Sequence, residues 1–429
     1  MPVRARPATQ HSFVAMEPEI VIVGAGPIGC WTALQAKWRN PDLKITCYER
    51  FRQYQRDHIM TIQRKSIVSW CANGAGKGDF LKRLFGAQAT CSELCGSRAK
   101  LNPSVNAGLP RLLDIRTIDF ERIVKSECEA AGVEFIYRKI DTPHEVMDAH
   151  PACLHFVAAD GANSKMREAL WGKGCLFRYD VLPSLDFKYT AKGQPGYLLK
   201  STFDRLAHVG LENINLQGPD GCSDVNLRFV VSRGDYDAIP PATFKEPLIV
   251  APDSPFWQRM GKKRLYGGRT FKDDFYGFLE MRRQFAGERR VGSPIRMTKI
   301  YLSRYAAPEF ARTVGGGGRA RTWFLVGDAA MGMPFYRSIN SGLILGAQLG
   351  LLLATTMSPG RKSSIYNRIV RPARIASEWR RTKYLECKAH ALLKVIRPIL
   401  FNAARIPGLR IPVVAPFDAV ARWRGARFP

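Results

Sequence analysis

Apolar positions along the chain follow two regimes. The first consists of short, unbroken, largely β-branched runs: Glu19-Ile-Val-Ile-Val23, Lys44 to Tyr48, His155 to Ala159 and Thr322 to Val326. Runs of this length with no polar alternation predict strands buried on both faces, as in a parallel sheet. Between them lie stretches with helical spacing, Cys30 to Trp38 and Thr117 to Ala131, the second followed by Gly132-Val-Glu-Phe-Ile136. From 176 to about 305 the pattern changes to short runs such as Val225-Asn-Leu-Arg-Phe-Val-Val231 and Leu248 to Ala251, set between Gly and Pro turns. That predicts an antiparallel sheet. The longest apolar stretch, Leu343 to Met357, has 15 residues and contains Gln348, too short to cross a bilayer and suited to a buried helix. The expectation is an α/β fold with an antiparallel sheet inserted between two parts of a parallel one.

The first run opens directly into Gly24-Ala25-Gly26-Pro27-Ile28-Gly29 and then a helix. Gly24 permits a tight turn, Gly26 lets a pyrophosphate approach the backbone, and Gly29 lets the helix pack close to the strand, with free N–H groups facing the phosphate. The second strand ends at Glu49, 20 residues after Gly29, where an acid can bind a ribose hydroxyl. Strand, glycines, helix, strand and acid in this order predict a dinucleotide site, with Arg50 beside the acid. NAD and FAD both use such a site.

Two later segments distinguish them: Asp160-Gly161-Ala162-Asn163-Ser164-Lys165-Met166-Arg167 after one strand and Gly327-Asp328-Ala329-Ala330 after another. With these the chain resembles the class A, single-component FAD monooxygenases of the aromatic-hydroxylase type, over residues 20 to about 345. The stretch from Glu49 through Arg50, Arg52 and Arg56 to Met60 is similar to that of the kynurenine 3-monooxygenase and MICAL-type branches. The resemblance implies a Rossmann-like FAD-binding domain at 17–175 and 306–360, an inserted antiparallel β-sheet substrate domain at 176–305, and a basic C-terminal helical extension at 361–429, after a flexible lead at 1–16. It implies that Glu49 binds the adenosine ribose and that Gly327 and Asp328 hold the ribityl chain or the pyrophosphate-side hydroxyls. Asp160 and Gly161 would line the passage between the FAD pyrophosphate and a nicotinamide donor, and Arg116, in Leu113-Asp-Ile-Arg116, would lie against the flavin. Turn closure alone also accounts for Asp-Gly and Gly-Asp pairs. Arg56 is a candidate for the flavin or substrate mouth, a solvated arginine cluster being the equal alternative.

After Gly327-Asp328 the resemblance sets Pro334 near the reactive edge of the flavin and Asn340, Ser341 and Gly342 against its pyrimidine edge, where Asn340 or Ser341 would cap the apolar helix. The family often has Gly-Gln-Gly before this Asn; here Tyr336, Arg337, Ser338 and Ile339 intervene. Arg337 is read either as a donor to the isoalloxazine or an acidic substrate, or as a surface residue. The implied reaction is reduction of FAD by NADPH or NADH, capture of O₂ as a C4a-hydroperoxide, and hydroxylation or epoxidation of a small aromatic or lipophilic substrate. The alternatives are a MICAL-type protein oxidase, a prenyl reductase, a halogenase, weakened by the absence of W-x-W-x-I-P, and a non-catalytic anion-binding scaffold on a decayed flavin fold. Tyr189, Tyr197, Phe229 and Tyr301 are candidates for the substrate pocket or for plain core.

Composition adds two points. Lys and Arg number 65 against 37 Asp and Glu, a net charge of +28, and residues 361–429 alone hold 16 against 3. This predicts anionic company: cofactor phosphates, a membrane surface contacted peripherally or an acidic protein; for the tail, a solvent-facing helix covering the FAD domain is the equal alternative, since its prolines shorten any continuous apolar face. No RNP-like run, zinc finger or basic zipper supports nucleic acid. The 10 cysteines include no C-x-x-C pair, and Cys91 and Cys95 with His58 or His144 match no common zinc spacing, so a reducing, cytoplasmic setting without a metal is expected.

Overall fold

The computed structural model describes residues 17–52, 59–70, 79–84, 112–192, 211–214, 222–231, 233–243, 246–260, 270–286, 288–292, 294–315, 320–334 and 337–391. One sheet contains β1 (Ile20–Val23), β2 (Ile45–Glu49), β5 (Glu134–Tyr137), β6 (His155–Ala158), β13 (Ala311–Val314) and β14 (Arg321–Leu325), in the order β13-β14-β6-β1-β2-β5. All neighbours pair in parallel except β13, which runs antiparallel to β14 on one edge. The chain leaves β1 toward β2 on one side and returns as β6 on the other. The loop after β1 therefore sits where the strand order reverses, the place at which open α/β sheets bind ligands.

Helices α1 (Pro27–Lys37) and α2 (Thr117–Ala130), with α3 (Pro143–Ala149) and α4 (Lys165–Trp171), accompany this sheet. α1 begins three residues before the apolar pattern suggests, because Pro27 at the first helical position surrenders only an N–H that has no intrahelical partner. A separate ribbon pairs β3 (Ile59–Gln63) with β4 (Leu112–Arg116).

The second sheet is antiparallel, in the order β10-β12-β7-β9-β8, from β7 (Phe177–Lys192), β8 (Leu211–Ile214), β9 (Cys222–Val230), β10 (Leu248–Val250) and β12 (Ile295–Ala306). The short β11 (Arg289–Arg290) and β15 (Met331–Gly332) join β7 and β12. Alternate residues Leu185, Phe187, Tyr189 and Ala191 of β7 enter a core with Val225, Leu227, Phe229, Ile295 and Met297. Helices α5 (Arg233–Ala238), α6 (Phe256–Met260) and α7 (Phe271–Ala286) accompany it, and Phe256, Trp257, Phe271 and Phe275 close the core. Tyr189 and Phe229 are thus core, and the Tyr189 hydroxyl donates to Glu288 at 2.6 Å. Tyr301 accepts from Arg233 Nη1 at 2.9 Å, and Tyr197 lies outside the described residues.

The apolar stretch becomes α8 (Arg337–Leu353), which starts six residues before Leu343 and stops before Met357. α9 (Pro359–Ile365), a π-turn at Tyr366–Val370 and α10 (Arg371–Ala391) follow. Within the basic extension, residues 361–391 are not an appendage. Tyr366 is fully buried with its hydroxyl on the Leu325 carbonyl at 3.0 Å. The Asn367 amide accepts from Phe310 N at 2.8 Å and Ala311 N at 2.9 Å and donates to Ala311 O at 2.7 Å. Residues 392–429 lie outside the described residues, and among the described helices none is long and apolar enough to cross a membrane.

Candidate functional site

Strands β1, β2, β6 and β14 all end at one edge of the parallel sheet, so the segments that follow them meet there. Gly24 has φ +99°, and a Cβ at that position would sit 2.6 Å from the Ala159 carbonyl oxygen and 2.9 Å from Asp160 N. The glycine loop is therefore pressed against the Asp160-Gly161 turn. A Cβ at Gly29 would overlap the Gly24 carbonyl oxygen, which closes the turn on itself. Glu49, the last residue of β2, accepts from Ala25 N at 2.9 Å through Oε2 and from Arg50 N at 2.9 Å through Oε1. Its carboxylate thus lies on the rim of the glycine loop. Arg50 is exposed, its guanidinium 4.5 Å from the Phe51 ring centroid.

Ile28, on the first turn of α1, reaches the third segment. A Cβ at Gly327 would lie 3.1 Å from the Ile28 side chain, and one at Gly342 would lie 2.9 Å from it. The approach continues along both helices, since Gly346 faces Thr32 and Gly350 faces Gln35 and the backbone of Ala36. Glycines spaced by four residues on α8 allow α1 and α8 to pack backbone to backbone.

Arg167 ties the two turns together from beneath. It is buried, and it donates from Nη2 to Ala162 O at 2.8 Å and from Nη1 to Ala329 O at 3.0 Å. Ser164 caps α4 by accepting from Arg167 N at 2.9 Å, which fixes the arginine's backbone. Asp160 accepts from Met166 N at 3.2 Å through Oδ2, while its buried Oδ1 has no hydrogen-bond partner. Burial pushes the pKa of its carboxyl up. Asp328 accepts from the Ser338 hydroxyl, and its carbonyl accepts from Tyr305 at 3.2 Å. Burial, then the charge of Asp328, pushes the Tyr305 phenol above its usual range.

Arg116 ends β4 and precedes the first residue of α2, and Pro334 is buried between β15 and α8. Neither Asn340 nor Ser341 caps α8, because the helix starts at Arg337 and both lie inside it, fully covered. The Asn340 Oδ1 instead accepts from Gln63 N at 2.7 Å and from Ser66 Oγ at 3.0 Å, so it anchors the β3 ribbon. Ser341 Oγ accepts from Arg374 Nη2 at 3.3 Å. Nor is Arg337 a surface residue. Its Nε and Nη2 hold Glu378 in a bidentate pair at 3.1 and 2.7 Å, and Arg374 Nη2 reaches the same carboxylate at 2.7 Å. Arg56 lies outside the described residues. Arg167, Ser338 and Tyr305 are additional side chains at the site; only Arg167 had a sequence signal, its place in the Asp-Gly segment.

The overall architecture that carries this edge is similar to that of solved structures. The tetrameric form of 2-methyl-3-hydroxypyridine-5-carboxylic acid oxygenase matches at 13% identity and TM-score 0.50, over 92% of this chain and 98% of that one. A mutant of that oxygenase matches at 14% identity and TM-score 0.52 over the same shares. A Diels-Alderase from pyrroindomycin biosynthesis matches at 16% identity and TM-score 0.50, over 95% of this chain and 80% of that one. The chain has the fold of these proteins. No protein-family model matches it, and comparison with curated proteins finds no relative. Among the described residues no group of His, Cys, Asp and Glu is arranged to hold a metal ion.

Proposed function

We propose that the chain is an FAD-dependent monooxygenase that uses NADPH or NADH and O₂ to hydroxylate or epoxidise a small aromatic substrate. The observation that carries this reading is the meeting, at one sheet edge, of the loop Gly24–Gly29, the acid Glu49, the turn Asp160-Gly161 and the turn Gly327-Asp328. The residues present fit a dinucleotide. The glycine loop carries no side chain at Gly24, Gly26 or Gly29, and Asp160 has a buried oxygen without a partner beside it. That an oxygenase shares the fold supports an oxidoreductase.

In this reading the start of α1 would hold the pyrophosphate with the free amides of Gly26 and Ile28, Pro27, which has no N–H, setting the helical turn between them. Glu49 exchanges its contact with Ala25 N for the ribose hydroxyls, with Arg50 beside it. Asp328, Gly327 and Gly161 would bind along the chain toward the ring, with Arg116 beside it and Pro334 at the reactive edge. FAD, when bound, supplies the redox and oxygen-activating chemistry. The protein contributes position, dryness and charge. Ala329, Ala330, Met331 and Met333 are buried and keep water from the turn before α8. The positive end of the α8 dipole favours negative charge near its first turn. Asp160, with its pKa raised by burial, holds a proton more readily than an ordinary carboxylate and can donate it through Oδ1.

Purified protein incubated with FAD and then gel-filtered should remain yellow. It should consume O₂ with NADPH or NADH in the presence of substrate, peroxide being measured alongside to count uncoupled turnover. Protein that leaves the column colourless contradicts the reading.

A further inference from the structure

A cavity of about 350 Å³ opens between the loop Pro308-Glu309, which leads into β13, and the helical stretch that runs from α9 through the π-turn into α10. None of the residues assigned above to the dinucleotide lines it. Its two walls are locked together. The Asn367 amide spends its oxygen on Phe310 N and Ala311 N and its nitrogen on Ala311 O. Arg371 Nε donates to the Ala307 carbonyl at 3.2 Å, and its guanidinium lies 5.8 Å from the Phe310 ring centroid. At Gly360 a Cβ would meet open space, so that part of the lining is bare backbone. The π-turn carries Asn367 and Arg368 of this wall; such turns are rare and concentrate at functional sites.

The polar groups of the lining are donors short of acceptors. From 359 to 371 the chain holds Arg361, Lys362, Arg368 and Arg371 and no acid. Lys362 is turned away, donating to Leu353 O at 3.0 Å. The acid of the opposite wall, Glu309, already accepts through Oε2 from Arg312 Nη2 at 3.0 Å and from Trp171 Nε1 at 3.1 Å. Among the described residues the side chains of Ser363, Ser364 and Arg368 make no hydrogen bond, and Arg371 makes one only through Nε. Burial pushes the half-buried Arg371 guanidinium pKa down, against the attraction of Glu309. Two guanidinium forks and two hydroxyls around one concavity suit an anion with more oxygens than a carboxylate has, and a phosphate ester presents three. We infer that this cavity binds a phosphomonoester, held by Arg368 and Arg371 and by the hydroxyls of Ser363 and Ser364. A cavity of this size is that of a small organic ligand, which leaves room for the group esterified to the phosphate. Glu309 Oε1 can accept from a hydroxyl of that group, so a sugar phosphate fits the lining. The site stands independently of the monooxygenase reading.

The test is calorimetry of the FAD-loaded chain, freed of excess FAD by gel filtration, with glucose 6-phosphate, inorganic phosphate and, as the uncharged control, glucose. Glucose 6-phosphate should bind with an affinity that falls as salt rises, and glucose should give no heat. Arg368→Gln and Arg371→Gln should each weaken glucose 6-phosphate at least about tenfold, the first with an unchanged melting temperature because Arg368 is exposed. Inorganic phosphate that binds as tightly as the ester identifies free phosphate as the ligand, and weaker binding identifies the organic phosphate. No heat from either phosphate, binding of glucose equal to that of its phosphate, or binding that both variants leave unchanged, as it would be at the glycine loop, overturns the inference. A chain that takes up no FAD contradicts the monooxygenase reading alone, and the same titrations and variants then report on the cavity by itself.

Discussion

The two sheets are held together by opposite means. Around the parallel sheet, the decisive contacts are made where side chains are missing: Gly24 against Ala159, Gly342 against Ile28, Gly350 against Gln35 and Ala36. In the antiparallel sheet they are made by bulk, with Phe187 at 4.5 Å from Phe275 and 5.4 Å from Phe229, centroid to centroid, and Trp257 at 5.5 Å from Phe275. A close backbone approach tolerates one residue type and marks its position. An aromatic cluster tolerates exchange among large apolar residues and marks only a face. The first half is therefore where a cofactor site can be specified to the residue, and the second is where a substrate surface can vary.

The largest effect is expected at Gly350. Valine there would place Cβ 2.6 Å from Gln35 Cβ and 2.8 Å from the Thr32 carbonyl, and neither the Thr32 backbone nor α1 can withdraw. We expect a loss above about 5 kcal/mol and no soluble FAD-binding protein, checked by circular dichroism and FAD retention. Phe275→Ala should cost about 4 kcal/mol in chemical denaturation, from lost transfer energy and the cavity left behind. Below its melting temperature this variant should still retain FAD; loss of FAD together with the aromatic core would break the distinction between the halves. Glu378→Gln should cost about 3 kcal/mol by leaving Arg337 and Arg374 uncompensated, which ties α10 to the cofactor half.

The smallest effect is an acid sensitivity of the opposite edge of the parallel sheet. His155 is pushed down to about 4 by burial, then by Lys362, whose Nζ is 3.4 Å from Nε2. Because the folded pKa lies below the unfolded value, the unfolded chain binds the proton first. Stability is complete above the unfolded pKa and declines as pH falls toward the folded one. After allowing for partial exposure, the loss between pH 6.5 and 4 should be about 2 kcal/mol. His155→Gln, measured by denaturation across that range, should flatten the slope by this amount.

Legibility followed the reach of each interaction. Gly24 to Gly29, Glu49, Asp160-Gly161 and Gly327-Asp328 are local patterns at strand ends, and the sheet brings them to one edge. Asn340 was legible as polar and near a helix start but not as the anchor of Gln63, a residue 277 positions away. Arg337 read as either a ring donor or a loop arginine because nothing nearby announces Glu378, 41 residues on. In residues 361–391 the sequence left a helix covering the FAD domain and a partner-facing segment equally open, since average composition does not show that Tyr366, Arg374 and Glu378 are the residues turned inward. The short apolar runs between Gly and Pro turns predicted the strands of the second sheet but could not separate core from pocket, as Tyr189 and Phe229 show.

One titration reaches the central claim directly: FAD affinity of the wild-type chain beside Gly26→Val, Glu49→Ala and Asp328→Ala, each with its melting temperature. Tight binding by wild type, abolished by valine at Gly26 and weakened about tenfold or more by each lost carboxylate without a matching loss of fold, is the expected result. Folded variants that bind FAD as well as wild type would contradict it, because the glycine loop, the ribose acid and the Gly-Asp turn could not then be gripping the same molecule.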